Sequence, residues 1–492
     1  MNNEVTSVYE LPQGWLRTRL ENCVDILDGS RVPVNADERK RRTGNVPYYG
    51  ATGQVGWIDD YLFDEELVLL GEDGAPFLEP LRNKAYIIRG KSWVNNHAHV
   101  LRAIAGLTSN SFICHYLNVF DYTGLVGGTT RFKLNQSPMR TIPVPLPPLP
   151  EQHRIVAKIE ELFTRLDAGV EALKKIKAQL KRYRQSVLKH AFEGKLTAEW
   201  RQAHKDELEP ASVLLERIKQ QRHETAKGKY KELPQLDTSE LTDLPEGWLW
   251  AQIGAITESM KNGIYKPASY YSDNGIACLR MYNIGNGFII WKDIKRMNLS
   301  KNEISEYELL PGDVLVNRVN SRELVGKAAV IPTGLEPCLY ESKNIRLRLY
   351  LRYVNSTYVN YWFLLSSQEY FNRNAQQTVG MASINQEQLG SMPIPIPQTL
   401  EQHKISEEIE RRFSVADQIG KTVDQSFKQA ERLRRSILKR AFEGKLVPQD
   451  PNDEPAKKLL ERIRQERARQ QAERKPAKSS RNKLNTKQMR LA

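Results

Sequence analysis

Ala191-Phe192-Glu193-Gly194-Lys195-Leu196 returns letter for letter as Ala441-Phe442-Glu443-Gly444-Lys445-Leu446, 250 residues further along a chain of 492. Working outward, the neighbours repeat too. Leu11-Pro12-Gln13-Gly14-Trp15 becomes Leu244-Pro245-Glu246-Gly247-Trp248, and Glu151-Gln152-His153 becomes Glu401-Gln402-His403. Leu214-Leu215-Glu216-Arg217-Ile218 becomes Leu459-Leu460-Glu461-Arg462-Ile463. The landmarks keep their order, so each copy is a whole unit, and a twofold repeat within one chain implies a pseudo-dimer. Between the landmarks, the stretches from Trp15 to about Gly128 and from Trp248 to about Gly380 share almost no residues. The frame is kept and its contents are exchanged, which points to a fixed scaffold carrying two different recognition modules.

Upstream of each hexapeptide lies an apolar seam. In the first copy it reads Ile155, Ile159, Leu162, Leu166, Leu173, Ile176, Leu180, Tyr183 and Val187, with steps of three and four and one vacant slot at Gly169 beside Val170. In the second it reads Ile405, Ile409, Ala416, Ile419, Val423, Ala430, Leu433 and Ile437, interrupted at Arg412 and Ser426. Such heptads predict two long helices, each needing a partner rod. The nearest partner is the other copy, and a twofold relation makes the pair antiparallel. The first rod, about 40 residues, would span about 60 Å at ~1.5 Å per residue. Each rod is preceded by a proline ladder, Pro143-Val144-Pro145-Leu146-Pro147-Pro148-Leu149-Pro150 and Pro393-Ile394-Pro395-Ile396-Pro397, which predicts stiff extended segments.

The variable stretches read as mainly β with a few helices. Strands are expected at 66–70, 85–88, 313–316 and 328–331, and a helix over 357–374. The fold class is α+β: two mixed, mainly β modules joined by two long antiparallel coiled-coil helices in a pseudo-twofold repeat. The expected segments are a first module (1–150), a first spacer helix (151–196) and a connector with a short helix near 212–222 (197–243). A second module (244–400), a second spacer helix (401–446) and a basic C-terminal segment (447–492) follow.

The formal net charge is +14, yet residues 456–492 hold 13 Lys/Arg against 3 Asp/Glu, leaving only +4 for the rest. Charge therefore supports a polyanion partner only weakly, because a basic tail can simply be solvated. Cys23, Cys114, Cys278 and Cys338 are scattered without a C-x-x-C pair, which suits a reducing cytoplasm. Met1-Asn2-Asn3-Glu4 lacks a basic start and an apolar run, and no stretch reaches eighteen apolar residues, so neither a secretory signal nor a membrane span is expected.

No catalytic constellation stands out. Ala85-Tyr86-Ile87-Ile88-Arg89-Gly90-Lys91-Ser92 resembles a phosphate-binding loop but begins with alanine where the turn needs glycine. Gly285-Asn286-Gly287 reads as a hairpin turn. His97-Ala98-His99 lacks a third ligand at metal spacing. An amino-methyltransferase needs an Asn/Asp-Pro-Pro-aromatic loop, and the only Pro-Pro, Pro147-Pro148, lies between leucines.

Several loops are built to touch a polyanion or base edges. Gly127-Gly128-Thr129-Thr130-Arg131-Phe132-Lys133 combines glycines with hydroxyls and cations, which serve phosphate. Its frame recurs in both copies, so Arg131 and Lys133 are expected on phosphate. The counterpart, Thr378 to Asn385, offers Ser383 and Asn385. Asn317-Arg318-Val319-Asn320-Ser321-Arg322, with Lys327 downstream, is dense in side chains that read guanine and adenine. In the first module Asn95, Asn96, His97 and His99 form a similar set, and Glu72-Asp73 on a glycine loop could accept from cytosine amines or simply cap a turn.

Taken together, the Leu-Pro-x-Gly-Trp opening, the glycine–threonine loop, the Pro-Leu-Pro-Pro-Leu-Pro-Glu-Gln entry and the Phe-Glu-Gly-Lys-Leu end resemble specificity subunits of type I restriction–modification systems. The resemblance spans about residues 10–463. The second copy departs from it: Thr378–Asn385 lacks an equivalent of Arg131, and Gln398-Thr399 breaks the proline run. The resemblance implies that each module is a target recognition domain reading one half of a bipartite site in double-stranded DNA. It also implies that the helices set the spacer and dock two methyltransferase subunits, and that two restriction/translocase subunits complete the assembly. S-adenosylmethionine, Mg and ATP are implied for those partners, with no cofactor on this chain and no chemistry of its own. A fused enzyme, a scaffold without DNA function, and a solitary specificity-like subunit of another defence or regulatory system are the competing readings.

Overall fold

The computed structural model describes residues 10–225, 233–378, 381–470 and 472. It divides into two compact units: unit 1 comprises 1–175 with 423–492, and unit 2 comprises 176–422. The two rods are single helices, Leu149–Phe192 and Thr399–Phe442, of 44 residues each. The division falls within both, so each unit holds part of either rod.

The module of unit 1 has a four-stranded antiparallel sheet in the order Val24–Ile26, Ala98–Ala103, Leu67–Gly71, Ala85–Ile88. A second sheet runs Gly53–Ile58, Val46–Gly50, Lys91–Val94, Phe63–Asp64, with its middle pair parallel. The continuous apolar run Leu67-Val68-Leu69-Leu70 is fully buried, as a strand covered on both faces requires. Helix Asn110–Val119, capped by the Ser109 hydroxyl on the Phe112 N–H, packs Phe112, Ile113 and Leu117 into the same core.

Unit 2 repeats this plan with unrelated residues. Its antiparallel sheet runs Thr257–Asn262, Asn344–Leu349, Val314–Asn317, Ala328–Val330. The second departs from that plan: Tyr271–Ser272, Lys295–Met297, Ile276–Leu279, Cys338–Tyr340, with the parallel pair at the edge. Helix Ser356–Asn374 buries Tyr358, Trp362, Phe363 and Phe371. The strands and this helix lie within one or two residues of the sequence expectation.

The proline ladders are strands. Pro143–Leu146 pairs antiparallel with Leu16–Arg19, and Pro393–Ile396 with Leu249–Gln252. Proline at every second position leaves the intervening residues to donate, which an edge strand tolerates. Each ladder leads directly into its rod, and the repeated landmarks lock the junction. The Trp15 indole donates to Glu151 at 3.0 Å, and Trp248 donates to Glu401 at 2.9 Å. Gln152 donates to the carbonyls of Leu107 and Pro147, and Gln402 to those of Tyr353 and Pro397.

The hexapeptide ends each rod. Gly194 (φ +66°) and Gly444 (φ +70°) adopt the left-handed conformation that closes a helix, which glycine takes without penalty. A Cβ there would stand 2.3 Å from Pro245 Cγ and from Pro12 Cγ respectively. The start of one copy therefore packs on the end of the other copy's frame: Pro12 meets Gly444 in unit 1, and Pro245 meets Gly194 in unit 2. The Leu-Leu-Glu-Arg-Ile landmarks are helical, in Ala211–Thr225 and in residues 456–470. They bury Leu214 and Ile218 in unit 2, and Leu459 and Leu460 in unit 1. The Ala211 N–H donates to the Gly247 carbonyl, and the Ala456 N–H to that of Gly14, both at 2.9 Å. The first half of the basic C-terminal segment is thus a docked helix, tied down by Arg154–Asp453 and Arg467–Asp25 pairs. Residues 473–492 lie outside the described residues.

Within unit 1 the rods run against each other through Ile155, Ile159, Leu162, Ile437 and Leu438, and Arg434 pairs with Asp167 while lying over Phe163 at 4.1 Å. Unit 2 carries the same contact 250 residues shifted: Arg184 pairs with Asp417 and lies over Phe413. Here Val187 packs with Ile405 and Ile409. Toward the rod centres the seam is less covered than a continuous heptad implies. Leu166, Leu173 and Leu180 are half-buried, whereas Ile176, Ile419 and Leu433 are exposed. Val423 is buried. Among the described residues no helix is long and apolar enough to cross a membrane.

Candidate nucleic-acid interface

In unit 1 four loops converge on a cleft of about 620 Å³, lined in part by Thr52, Asp73, Asn95, His97, Thr130 and Arg131. Backbone hydrogen bonds lace the loops: Glu72 N–H to the His97 carbonyl, Gly74 N–H to Phe132, and Leu134 N–H to Glu72, at 2.8 to 2.9 Å. Gly127 and Lys133 exchange two more bonds, closing the glycine–threonine loop into a tight turn. Candidates from residues 72, 95–99 and 129–133 are therefore one surface.

Their roles divide by depth. Thr129, Thr130, Arg131 and Lys133 are exposed, as is Asn96. Asp73 Oδ1 forms an ion pair with Arg131, 2.7 Å from its Nε, and the other oxygen lies 3.5 Å from His97 Nδ1. His99 is a correction. It points inward from strand Ala98–Ala103, is only 1 % exposed, and spends both ring nitrogens, on Asp28 at 2.7 Å and on the Leu134 carbonyl at 2.8 Å. It supports the loops from beneath and cannot meet DNA. Asn95 is also buried, its side chain accepting the His97 N–H to shape the turn.

Of the two carboxylates expected to accept from cytosine, Glu72 is taken up by Arg31 at 2.6 Å and Lys133 at 3.6 Å. Its neighbour Asp73 is the carboxylate that lines the cleft. Sequence reading missed Arg31, which also donates to the Ala98 carbonyl, and Asp28, which accepts from His99, Gln136 and the Val100 N–H. Burial alone would raise the Asp28 carboxyl, but the His99 contact and these donors outweigh it and hold the group below its ordinary 3.8. A turn sequence such as Asp28-Gly29-Ser30-Arg31 gives no hint of partners some 70 residues away.

In unit 2 the structure joins the two expected loops. Val319–Asn320 pairs antiparallel with Met381–Ser383, setting Val319 opposite Ser383. Three asparagines change role. Asn317 donates to Asn344 at 2.6 Å and accepts from Asn320 at 3.0 Å, all three buried. This amide ladder holds the loop and leaves no edge for a base. Asn385 caps helix Gln386–Gly390 by accepting the Gln388 N–H. Arg322 is exposed beside Asn372, Arg318 and Ser383 are half-buried, and burial lowers the half-buried Lys327 ammonium. Arg280, unmarked in the sequence, pairs with Glu341 at 3.1 Å and donates to the exposed Tyr282. The near-phosphate loop at 85–92 is a short crossover from strand Ala85–Ile88 of one sheet to Lys91–Val94 of the other, with no helix for a phosphate to cap.

A family model described as "Type I restriction modification DNA specificity domain" matches residues 12–182 and 245–425. The type I restriction enzyme EcoDI specificity subunit of Escherichia coli is 26% identical over 476 residues, covering 94% of this chain and 97% of the relative. The EcoKI specificity subunit of the same species is 27% identical over 379 residues, covering 74% and 73%. A solved chain from a type I restriction–modification system superposes over 89% of this chain and 100% of its own, with a TM-score of 0.58 at 18% identity, a likeness of fold. The chain belongs to the type I restriction–modification DNA specificity family.

Proposed function

We propose that this chain is the DNA-reading subunit of a type I restriction–modification complex, each unit reading one half of a bipartite double-stranded target. The observation that carries this reading is the pairing of two divergent modules on one antiparallel-sheet order and one set of junctions. Identical frames deliver different surfaces, which is what two unlike half-sites require. The rods, 44 residues each and ~66 Å long at 1.5 Å per residue, act as the spacer ruler. Their exposed Ile176, Ile419 and Leu433 are offered to two methyltransferase subunits, with two restriction/translocase subunits beyond. On this reading S-adenosylmethionine, Mg and ATP belong to the partners, the work is cytoplasmic, and this chain performs no chemistry. The test is module exchange. Replacing residues 16–127 by those of another family member should change one half of the methylated motif. A change in both halves, or in neither, overturns the proposal.

A further inference from the structure

The sequence places Arg131 on phosphate, and the cleft argues otherwise. Its charged lining is Asp73, Glu79, Arg82 and Arg131, two of each sign, with Glu79 and Arg82 paired at 3.2 Å. A phosphate oxygen approaching Arg131 would meet the Asp73 carboxylate already bound to the same guanidinium. Affinity for the DNA backbone comes from uncompensated cations, and this cleft has none.

We infer instead that Asp73 and Arg131 form a reading couple for one G·C pair in the half-site of unit 1, an inference that rests on the function proposed above. The ion pair is made through Arg131 Nε. Among the described residues no other ion pair uses its terminal amino groups, so that fork remains for the Hoogsteen edge of guanine, the commonest specific arginine contact. Asp73 is held from both sides, by Arg131 and by His97, and its lone pairs suit the exocyclic amine of cytosine. Gly74 (φ +78°) permits the geometry: a Cβ there would lie 3.2 Å from Arg131 Nε. The guanidinium therefore rests on bare backbone. The couple is also rigid, because the loops beneath are tied by the backbone bonds described above and by Arg31 on Glu72. A preorganised donor–acceptor pair loses little freedom on binding.

The test uses the full chain assembled with its methyltransferase subunits. Selection from DNA randomised at the half-sites should return a bipartite motif for the wild type. Failure to do so would sink the proposed function itself. Arg131→Gln and Asp73→Asn should each relax preference at the same single G·C position, by about 5- to 150-fold. Nonspecific affinity should move slightly and in opposite directions, down for Arg131→Gln and up for Asp73→Asn, because each leaves one charge of the couple unpaired. Uniform weakening of Arg131→Gln on all DNA with base preference intact, and a shallower salt slope by about one, would return Arg131 to phosphate and overturn the couple. So would unchanged base preference, or relaxation at scattered positions. Should a variant misfold, the wild-type complex still decides. Deazaguanine lacking the ring-nitrogen acceptor at that position should lower affinity as the Arg131 change does, and an indifferent response refutes the couple.

Discussion

The indole of Trp15 donates to one carboxylate oxygen of Glu151, and the other oxygen of Glu151 is buried with no hydrogen-bond partner. At the equivalent Glu401 that second oxygen accepts Thr197 Oγ1 at 2.8 Å and Arg201 at 2.7 Å. In the repeat, Val447 and Pro451 stand where Thr197 and Arg201 stand in the first copy. Burial therefore raises the Glu151 carboxyl above its ordinary 4.5, against the Trp15 bond.

Because that group is raised in the folded state, its contribution is full below pH 4.5 and lost as pH rises through the folded value. Glu151→Gln, which keeps an acceptor for Trp15, should change stability at neutral pH by no more than ~1 kcal/mol. Glu401→Gln removes the negative charge that pairs with Arg201, leaving that guanidinium only neutral acceptors such as the Gly194 carbonyl, and should cost roughly 3 kcal/mol. Urea unfolding of the two variants compares them directly, and equal losses would contradict the asymmetry.

The glycines of the rods should split into two classes. Gly444→Ala forces a left-handed alanine against Pro12 and should cost at least ~2 kcal/mol. Gly169 and Gly420 sit inside helices facing open space, so alanine there should stabilise by ~0.5–1 kcal/mol. Thermal unfolding reads both signs.

If the rods are a ruler, their length sets the spacing. One heptad inserted after Leu173 and another after Val423 adds ~10 Å. The nonspecific spacer in the methylated motif should then grow by about three base pairs at ~3.4 Å each. An active variant with an unchanged spacer would refute the idea.

His115 gives unit 1 an acid-sensitive edge. Burial, with the Arg434 charge second, lowers its imidazole from 6.5 to about 4, beside the Phe163 ring. The unfolded chain takes up a proton there that the folded chain refuses. Stability is therefore highest above pH 6.5 and falls until about pH 4, by about 3 kcal/mol in all. Asp28, held below 3.8, adds a separate loss at still lower pH. His115→Phe should flatten the upper window and leave the lower one, as melting temperature against pH would reveal.

Periodicity and punctuation made the frame readable. The heptads place both rods, and Gly194 and Gly444 mark their ends to within two residues. The strands at 67–71 and 85–88 follow from short apolar runs between turns. The site was readable only as a set of loops. Strand alternation alone does not say which face of Ala98–Ala103 is covered, so His99 reads as a contact although it is buried on Asp28. Asn317 and Asn320 look like base readers for the chemistry that lets them bond to each other. Partners such as Arg31 and Glu72, 41 residues apart, leave no mark in local sequence.

Unit 2 is one uninterrupted run of chain, whereas unit 1 needs residues from both ends. A ribosome adding ~5–20 residues per second takes on the order of 10–50 s to pass from residue 176 to 422. During that interval Ile155, Ile159 and Trp15 have no Ile437 or Leu459 to close upon. The module encoded second can therefore mature first. The module encoded first keeps part of its apolar face open until the last turns of the chain arrive.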